Sequence, residues 1–197
     1  MAIKTAGTDL PINNLIAERW SPRAFSEKDV ESHKLRTIFE AGRWAASSGN
    51  EQPWRFIIGR KGSEIGQQLF DCLDEGNKEW NVRVPILCLA VAKKKFSFKD
   101  ALNRHAEYDV GQSVAFMALQ AVELGLQIHQ MAGFSVEKSQ KALGIDDEFE
   151  PLTMFCIGYV GVPEILNEKN HKTETSPRVR REISEICFGN WKESFDF

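Results

Sequence analysis

The stretch VPILCLAVA, residues 84–92, contains no charged or strongly polar side chain. A strand with one face in solvent alternates apolar and polar residues, whereas a strand buried on both faces is apolar throughout. The stretch is also far shorter than the roughly 20 apolar residues that cross a bilayer. We therefore expect residues 84–92 to form a central strand that is covered on both faces.

Two further stretches have strand character, WRFIIGRKG at 54–62 and PLTMFCIGYVG at 151–161. All strands lie far apart in the sequence, and amphipathic helical patterns rather than short hairpins separate them. This order predicts an α+β protein in which helices wrap a sheet as three layers, with residues 1–197 as one domain. The helical patterns cover 8–20, 26–46 with Ser26 as N-cap, 63–80, 103–131 and 135–145, and residues 164–177 read as a polar linker.

The composition excludes several classes of protein. The chain has 197 residues, 42% of them hydrophobic, and a net charge of -3, so no overall basic field would attract nucleic acid or an anionic membrane. No transmembrane run or signal-peptide core is present. Four separated cysteines without a CxxC pair, and four histidines without ligand spacing, predict a cytoplasmic protein with neither a disulfide framework nor a metal site.

Three polar clusters remain as candidates for chemistry. In RWSPR, Arg19, Ser21 and Arg23 could grip an anion, because guanidinium forks fit phosphate oxygens, or could form a solvated turn. The loop SSGNEQP, 47–53, offers small polar side chains and amides that suit the edge of a ring, or is an ordinary helix-to-strand loop. In SPRVRRE, 176–182, Arg178 and Arg180 would project the same way from an extended backbone, or belong to a solvated charge run.

Taken together, these pieces resemble the nitroreductase family of FMN-dependent oxidoreductases. The resemblance begins with RWSPR and SSGNEQPWRFIIG, continues through NVRVPILCLAVA, YDVGQSVAFMALQAVELGLQIHQMAGF and IGYVGVPE, and closes with PRVRREISEICF. It covers nearly the whole chain in the order and spacing of that family. The implied fold is a central, mainly antiparallel sheet wrapped by helices in three α/β/α layers.

The resemblance also implies a set of FMN-binding residues. Arg19, Ser21 and Arg23 would hold the phosphate and ribityl chain, and Arg178 and Arg180 would complete the phosphate clamp. One part of the set often comes from the neighbouring subunit of a homodimer. The remaining implied contacts are Ser47, Ser48, Asn50 and Gln52 lining the flavin, and the turn Gln130, Met131, Ala132 and Gly133 lying along it, where Gly133 would allow a flat ring to approach.

The implied activity is transfer of a hydride from NADH or NADPH, through FMN, to a small-molecule acceptor such as a nitroaromatic or a quinone, by a ping-pong mechanism. The chemistry would be carried by FMN, and no side chain is expected to act as a catalytic acid. The same fold could instead use FMN for dehydrogenation of a small ring or for dehalogenation, or bind flavin without turnover. A non-flavin structural dimer is the remaining alternative. The aromatic tail, about 182–197, is expected to pack on its own core or be exchanged with a homodimer partner, because so much exposed apolar surface is costly.

Overall fold

The computed structural model describes residues 4–197, and a four-stranded antiparallel sheet organises this part of the chain. Strands β1 (Trp54–Arg60), β2 (Ile86–Lys93), β3 (Gln127–Met131) and β4 (Phe149–Gly158) are ordered β1-β2-β4-β3 across the sheet. The register pairs Trp54 with Ala92 in β1 and β2, and Gln127 with Gly158 in β3 and β4. The predicted central strand is therefore confirmed, because β2 lies between two other strands.

Side chains of β2 alternate between two separate hydrophobic cores. Ile86 and Cys88 face one core, which the helices α2 (Ser32–Arg43) and α5 (Ala106–Glu123) cover. Leu87 and Leu89 face the other core, which α3 (Glu64–Cys72) and α4 (Glu75–Asn81) cover. These two layers of helix around one sheet confirm the predicted α+β, three-layer architecture. The remaining helices are α1 (Asn14–Glu18), α6 (Val136–Leu143), which Ser135 caps as predicted, and α7 (Glu168–Thr175).

The helix predicted over 26–46 begins later than expected. Its first residue is Ser32, and the N-cap is Glu31 rather than Ser26. Phe25 is buried and bridges Val160, and the Ser26 backbone N–H donates to the Tyr159 carbonyl at 2.8 Å. This contact ties the backbone at Phe25 and Ser26 to the chain beyond β4, and α2 begins only after this segment, at Ser32.

The predicted helix over 63–80 is two helices, because its middle is tied to another segment. Leu73 is extended and bridges Phe134, and the backbone N–H of Asp74 donates to the Gly133 carbonyl at 3.0 Å. The backbone N–H that would continue α3 therefore bonds outside the helix, and α4 begins again at Glu75.

The end of the predicted helix over 103–131 is wrong, because residues 127–131 form the edge strand β3. Gly125 has a φ of 75°, a left-handed conformation that closes α5. The linker predicted over 164–177 is wrong in part as well. It contains α7, whose N-cap Asn167 accepts from the Asn170 backbone N–H at 2.8 Å.

The tail adds the short hairpin that the sequence did not predict, β5 (Phe188–Asn190) with β6 (Glu193–Ser194). Trp191 is 78% exposed and Phe197 79%, so the tail does not pack on its own core. Cys72, Cys88 and Cys156 are buried thiols and Cys187 is partly buried, and all four are free. Over residues 4–197, no helix has both the length and the apolar character that crossing a membrane requires.

Candidate functional site

The first and third predicted clusters come together, although about 160 residues separate them in the chain. Burial lowers the pKa of Arg19, and the nearby charges of Arg178 and Arg180 lower it further. Burial and the charge of Arg180 likewise lower the pKa of Arg178. Arg178 is anchored by donating to the backbone carbonyls of Lys4 at 3.0 Å and Ala17 at 2.5 Å. The charges of Arg178 and Arg23 both lower the pKa of Lys4, which places Arg23 near them as well. The two distant segments thus form one cationic surface, which we call the arginine cluster: Arg19, Ser21, Arg23, Arg178 and Arg180.

No guanidinium group of the arginine cluster is paired with a carboxylate in the part of the chain that the structure describes. Arg19 donates to the Ser21 hydroxyl at 3.3 Å, and Arg180 donates to the Val179 carbonyl at 2.7 Å. Between residues 4 and 197, no ion pair within 4.0 Å includes any of its four arginines. Like charges held together without carboxylates favour an anionic ligand, and guanidinium groups beside a hydroxyl have the chemistry that binds a phosphate dianion.

A buried carboxylate positions the loop that carries Arg23. Glu174, in α7, is 4% exposed, and its two oxygens accept from the backbone N–H groups of Arg23 at 2.9 Å and Ala24 at 3.0 Å. The ammonium of Lys4 donates to the Glu174 carbonyl at 2.7 Å. Glu174 could not be singled out from the sequence, because its segment has the composition of a polar linker and no local pattern indicates a buried carboxylate.

A buried histidine supports the same loop from the sheet. His129 in β3 hydrogen-bonds through Nδ1 to the Pro22 carbonyl at 2.7 Å, and its ring lies 4.6 Å from that of Trp80. The pKa of His129 is lowered to about 4, chiefly by burial and in part by the charges of Arg23 and Arg19, although the hydrogen bond with the Pro22 carbonyl acts in the opposite direction. The ring is therefore neutral at pH 7, and Nδ1–H is the donor, because a carbonyl only accepts. The structural role of His129 could not be predicted from the sequence, because the spacing of apolar residues around it indicated a helix rather than a strand.

The predicted turn Gln130–Gly133 lies on the same edge as the arginine cluster. Gln130 and Met131 end β3, which pairs only with β4 within the described chain, so alternate backbone N–H and C=O groups point away from the sheet. Gln127 ties the start of this strand to the cluster, since its side chain accepts from the Trp20 N–H at 3.2 Å. A polar ligand held by the arginines therefore has an unpaired backbone edge beside it.

Gly133 packs closely against α4, a structural role that is separate from the predicted approach of a flat ring. A Cβ at this position would lie 2.6 Å from Asn77 Nδ2 and 3.2 Å from Asp74 Oδ2. The Gly133 carbonyl accepts from Asn77 Nδ2 at 2.9 Å and from the Asp74 N–H at 3.0 Å. The start of α4 thus fixes the turn, and Asn77 is a further residue that the sequence analysis missed.

The loop 47–52 is a second polar surface with unusual backbone geometry. Gly49, Asn50 and Gln52 have φ of 61°, 54° and 51°, which is the left-handed backbone region that residues other than glycine rarely adopt. Ser47 Oγ accepts from the Gln52 N–H at 3.0 Å, and buried Asp109 accepts from the Ser48 N–H at 3.0 Å. Strain of this kind is concentrated at ligand sites. An open cavity of about 250 Å³ beside the loop is lined by Ala46, Ser47, Ser48, His105, Tyr108, Asp109 and Gln112.

One chain does not bring this loop to the arginine cluster. The loop precedes Trp54, which pairs with the far end of β2, whereas Gln127 lies at the opposite end of the opposite edge strand. Helix α5 runs between the two corners, from Asp109 beside Ser48 towards Gln127, and its 18 residues span about 27 Å. Each chain therefore presents the arginine cluster and the loop 47–52 as two separate polar surfaces. In the described range, no group of three His, Cys, Asp or Glu side chains is placed to hold a metal ion.

Comparisons with known proteins found similar sequences and a similar fold. Residues 16–81 match the model of the nitroreductase family. An uncharacterised 15.4 kDa protein of Mycolicibacterium smegmatis is 27% identical over 146 residues, which cover 70% of this chain and 97% of that protein. A Streptomyces coelicolor protein provisionally named NADH dehydrogenase/NAD(P)H nitroreductase is 24% identical over 159 residues, covering 71% of this chain and 78% of its own. A solved oxidoreductase that contains FMN superposes with a TM-score of 0.89 at 28% identity, covering 96% of both chains.

Proposed function

We propose that this chain, which belongs to the nitroreductase family, is an oxidoreductase that binds FMN and passes a hydride from NADH or NADPH to a nitroaromatic, quinone or similar acceptor. The observation that carries the proposal is the arginine cluster, where four guanidinium groups from both ends of the chain meet without a carboxylate partner. A phosphate dianion is the ligand that this donor set fits, and FMN carries one at the end of a flexible chain.

The residues of the chain would supply binding and position. Arg19, Arg23, Arg178 and Arg180 would neutralise the phosphate, and Ser21 would donate a hydroxyl hydrogen bond to it. Backbone N–H groups of the turn from Gln130 to Gly133 would meet the polar edge of the ring system. Bound FMN would supply the two-electron redox chemistry, so that donor and acceptor use one surface in turn, as a ping-pong mechanism requires.

A homodimer would complete the site. Ser47, Ser48, Asn50 and Gln52 lie at the far corner from the arginine cluster, so a second copy related by a two-fold axis would bring its loop to this cluster. The exposed aromatic tail supports the same assembly, since Trp191 and Phe197 have no cover in their own chain. We propose that the tail, about 182–197, is exchanged between the two subunits of one such domain.

The test is flavin binding by matched arginine variants. Two charge-assisted hydrogen bonds are each worth about 1.5–3 kcal/mol, so the double variant Arg23→Gln, Arg180→Gln should weaken FMN binding at least about 100-fold. Arg181→Gln is the control, because Arg181 carries the same charge one residue away and is exposed. Fluorescence titration of the flavin-free protein measures the affinities, and equal affinity of wild type and double variant would contradict the proposed site.

The activity is tested separately on the flavin-loaded wild type. Anaerobic addition of NADH or NADPH should bleach the visible flavin band, and a nitroaromatic or quinone should restore it. A yellow protein that neither nicotinamide bleaches would instead support another use of FMN or a binding role without turnover.

A further inference from the structure

A short aromatic loop lies directly on the strained loop 47–52. Residues 95–102 form this loop, which closes on itself through the Phe96 N–H to Ala101 carbonyl bond at 3.1 Å. The Glu51 side chain, 2% exposed, holds it in place by accepting from the Ser97 N–H at 2.8 Å and the Ser97 hydroxyl at 2.7 Å. The aromatic loop and the proposed flavin-lining loop are thus joined by two hydrogen bonds.

The ring of Phe98 is presented beside that surface. A Cβ on Gly49 would lie 3.1 Å from Phe98 Cζ, so the ring covers the glycine, and yet Phe98 is 62% exposed. Phe96 supports it, with ring centroids 5.1 Å apart. Phe98, an exposed ring that half-buried Phe96 supports and that lies on a loop bonded to a buried carboxylate, is suited to contact a flat apolar ligand.

Lys99 places a positive charge against the same two rings. Its ammonium lies 4.3 Å from the centroid of Phe96 and 5.5 Å from that of Phe98. Lys93, Lys94 and Lys95 are paired with Glu51, Glu150 and Asp100 respectively. Lys99 is in no ion pair within 4.0 Å anywhere in the described chain, and it is therefore the lysine of this segment whose charge is available to a ligand.

We infer that Phe98 and Lys99 select the acceptor, and that they favour planar aromatic acceptors carrying a negatively charged substituent. This inference rests on the proposed function, which puts the loop 47–52 beside the flavin. Phe98 would stack on or against the acceptor ring, and the Lys99 ammonium would attract a carboxylate on that ring. Phe96 and Glu51 act as positioning residues, because they hold the ring and the charge without touching the ligand.

The experiment compares 4-nitrobenzoate with 4-nitrobenzamide, which has nearly the same shape without the charge. For the flavin-loaded homodimer with NADH as donor, we expect the wild type to have a kcat/KM about five- to tenfold higher for the anion. Lys99→Gln should remove that preference by lowering kcat/KM about five- to tenfold more for the anion than for the amide, whereas Lys99→Arg should keep it. High salt should reduce the preference in the wild type, because screening weakens exposed charges.

Two further variants separate the ring from the charge. Phe98→Leu should lower kcat/KM for both acceptors about equally, and Phe98→Tyr should retain it. Lys141→Gln, an exposed charge change on α6, is the matched control and should behave as the wild type. Equal charge preference in Lys99→Gln and wild type, or unchanged kinetics in Phe98→Leu, would overturn the inference while flavin content and bleaching by NADH stay intact. Loss of flavin uptake in the wild type itself would instead overturn the proposed function, and this inference with it.

Discussion

The Glu174 carboxylate accepts a hydrogen bond of 2.9 Å from the backbone N–H of Arg23, which lies 151 residues earlier in the chain. Its second oxygen accepts from the Ala24 N–H at 3.0 Å, so one buried side chain satisfies two backbone donors of the arginine loop. Helix α7, near the end of the chain, thus holds the backbone of the proposed phosphate-binding loop at Arg23 and Ala24.

Glu174→Gln should destabilise the protein and weaken anion binding together. The amide keeps one acceptor but turns its NH₂ group towards a second N–H, and an unsatisfied buried donor costs about 1–3 kcal/mol. Urea denaturation of the flavin-free protein measures the free energy of unfolding, and FMN titration measures the affinity. Glu164→Gln, an exposed change just before α7, serves as the control. Wild-type stability and affinity in Glu174→Gln would show that the buried carboxylate does not position the loop.

The stability of the protein should fall between pH 6.5 and about 4 because of His129. Its pKa is about 4 in the folded protein and near 6.5 in the unfolded chain, so in this range the unfolded state binds more protons. The resulting stabilisation, about 3 kcal/mol, is complete above pH 6.5 and is lost as the pH falls towards 4. Glu31 and Glu40, whose hydrogen bonds lower their pKa to about 2, lose their contributions only below pH 4.5.

His129→Gln isolates this effect, since a glutamine amide can also donate to the Pro22 carbonyl but does not titrate. Urea midpoints at pH 7.0, 6.0, 5.0 and 4.5 (values chosen to cover the interval between the two pKa values) should decline less in the variant than in the wild type. Identical pH profiles for the two proteins would mean that His129 is not held neutral by the fold.

Gly133→Ala should cost roughly 1–2 kcal/mol of unfolding free energy, because the new methyl group displaces Asn77 from the Gly133 carbonyl. The cost should shrink in an Asn77→Ala background, where the displaced side chain is already absent, and a double-mutant cycle measures that coupling. Gly76→Ala in α4 is the control, since nothing lies within 4 Å of a Cβ there and alanine favours a helix. Additive costs across the cycle would contradict the assigned contact.

Removal of residues 183–197 should leave the fold intact and reduce dimerisation. The tail's own contacts are largely internal, as in the Phe195 N–H to Cys187 carbonyl bond of 3.0 Å, whereas Trp191 is exposed. Light scattering after size exclusion should give the full chain a mass near twice 22.3 kDa and the truncated chain a smaller dimer fraction. A full-length chain that is monomeric at micromolar concentration would refute the proposed exchange.

Much of the fold could be predicted from local patterns. The apolar stretch 84–92 required cover on both faces, and β2 alternates between two cores as that requirement implies. The errors occurred where a distant partner competes for the backbone. The Ser26 N–H bonds to the Tyr159 carbonyl ahead of the helix that was predicted to begin there. The Asp74 N–H bonds to the Gly133 carbonyl in the middle of the helix predicted over 63–80, and residues 127–131 pair with β4 as a strand.

The residues of the site divide in the same way. Arg19, Ser21, Arg23, Arg178 and Arg180 could be singled out from the sequence, because cationic side chains and hydroxyls have recognisable anion chemistry in any fold. Glu174, His129 and Asn77 could not be singled out. Their roles depend on which backbone donors and acceptors come within about 3 Å of them, and the packing of distant segments sets that distance.

The sequence by itself determined the central strand, the covering helices and the chemical identity of the arginines, because periodicity and side-chain chemistry are local properties. Only the tertiary structure decided that the two arginine-bearing ends meet, that their loop is held by Glu174, and that the loop 47–52 lies at the far end of α5. These are relations between segments more than 50 residues apart in the chain. They follow from how helices and strands pack, which no local pattern encodes.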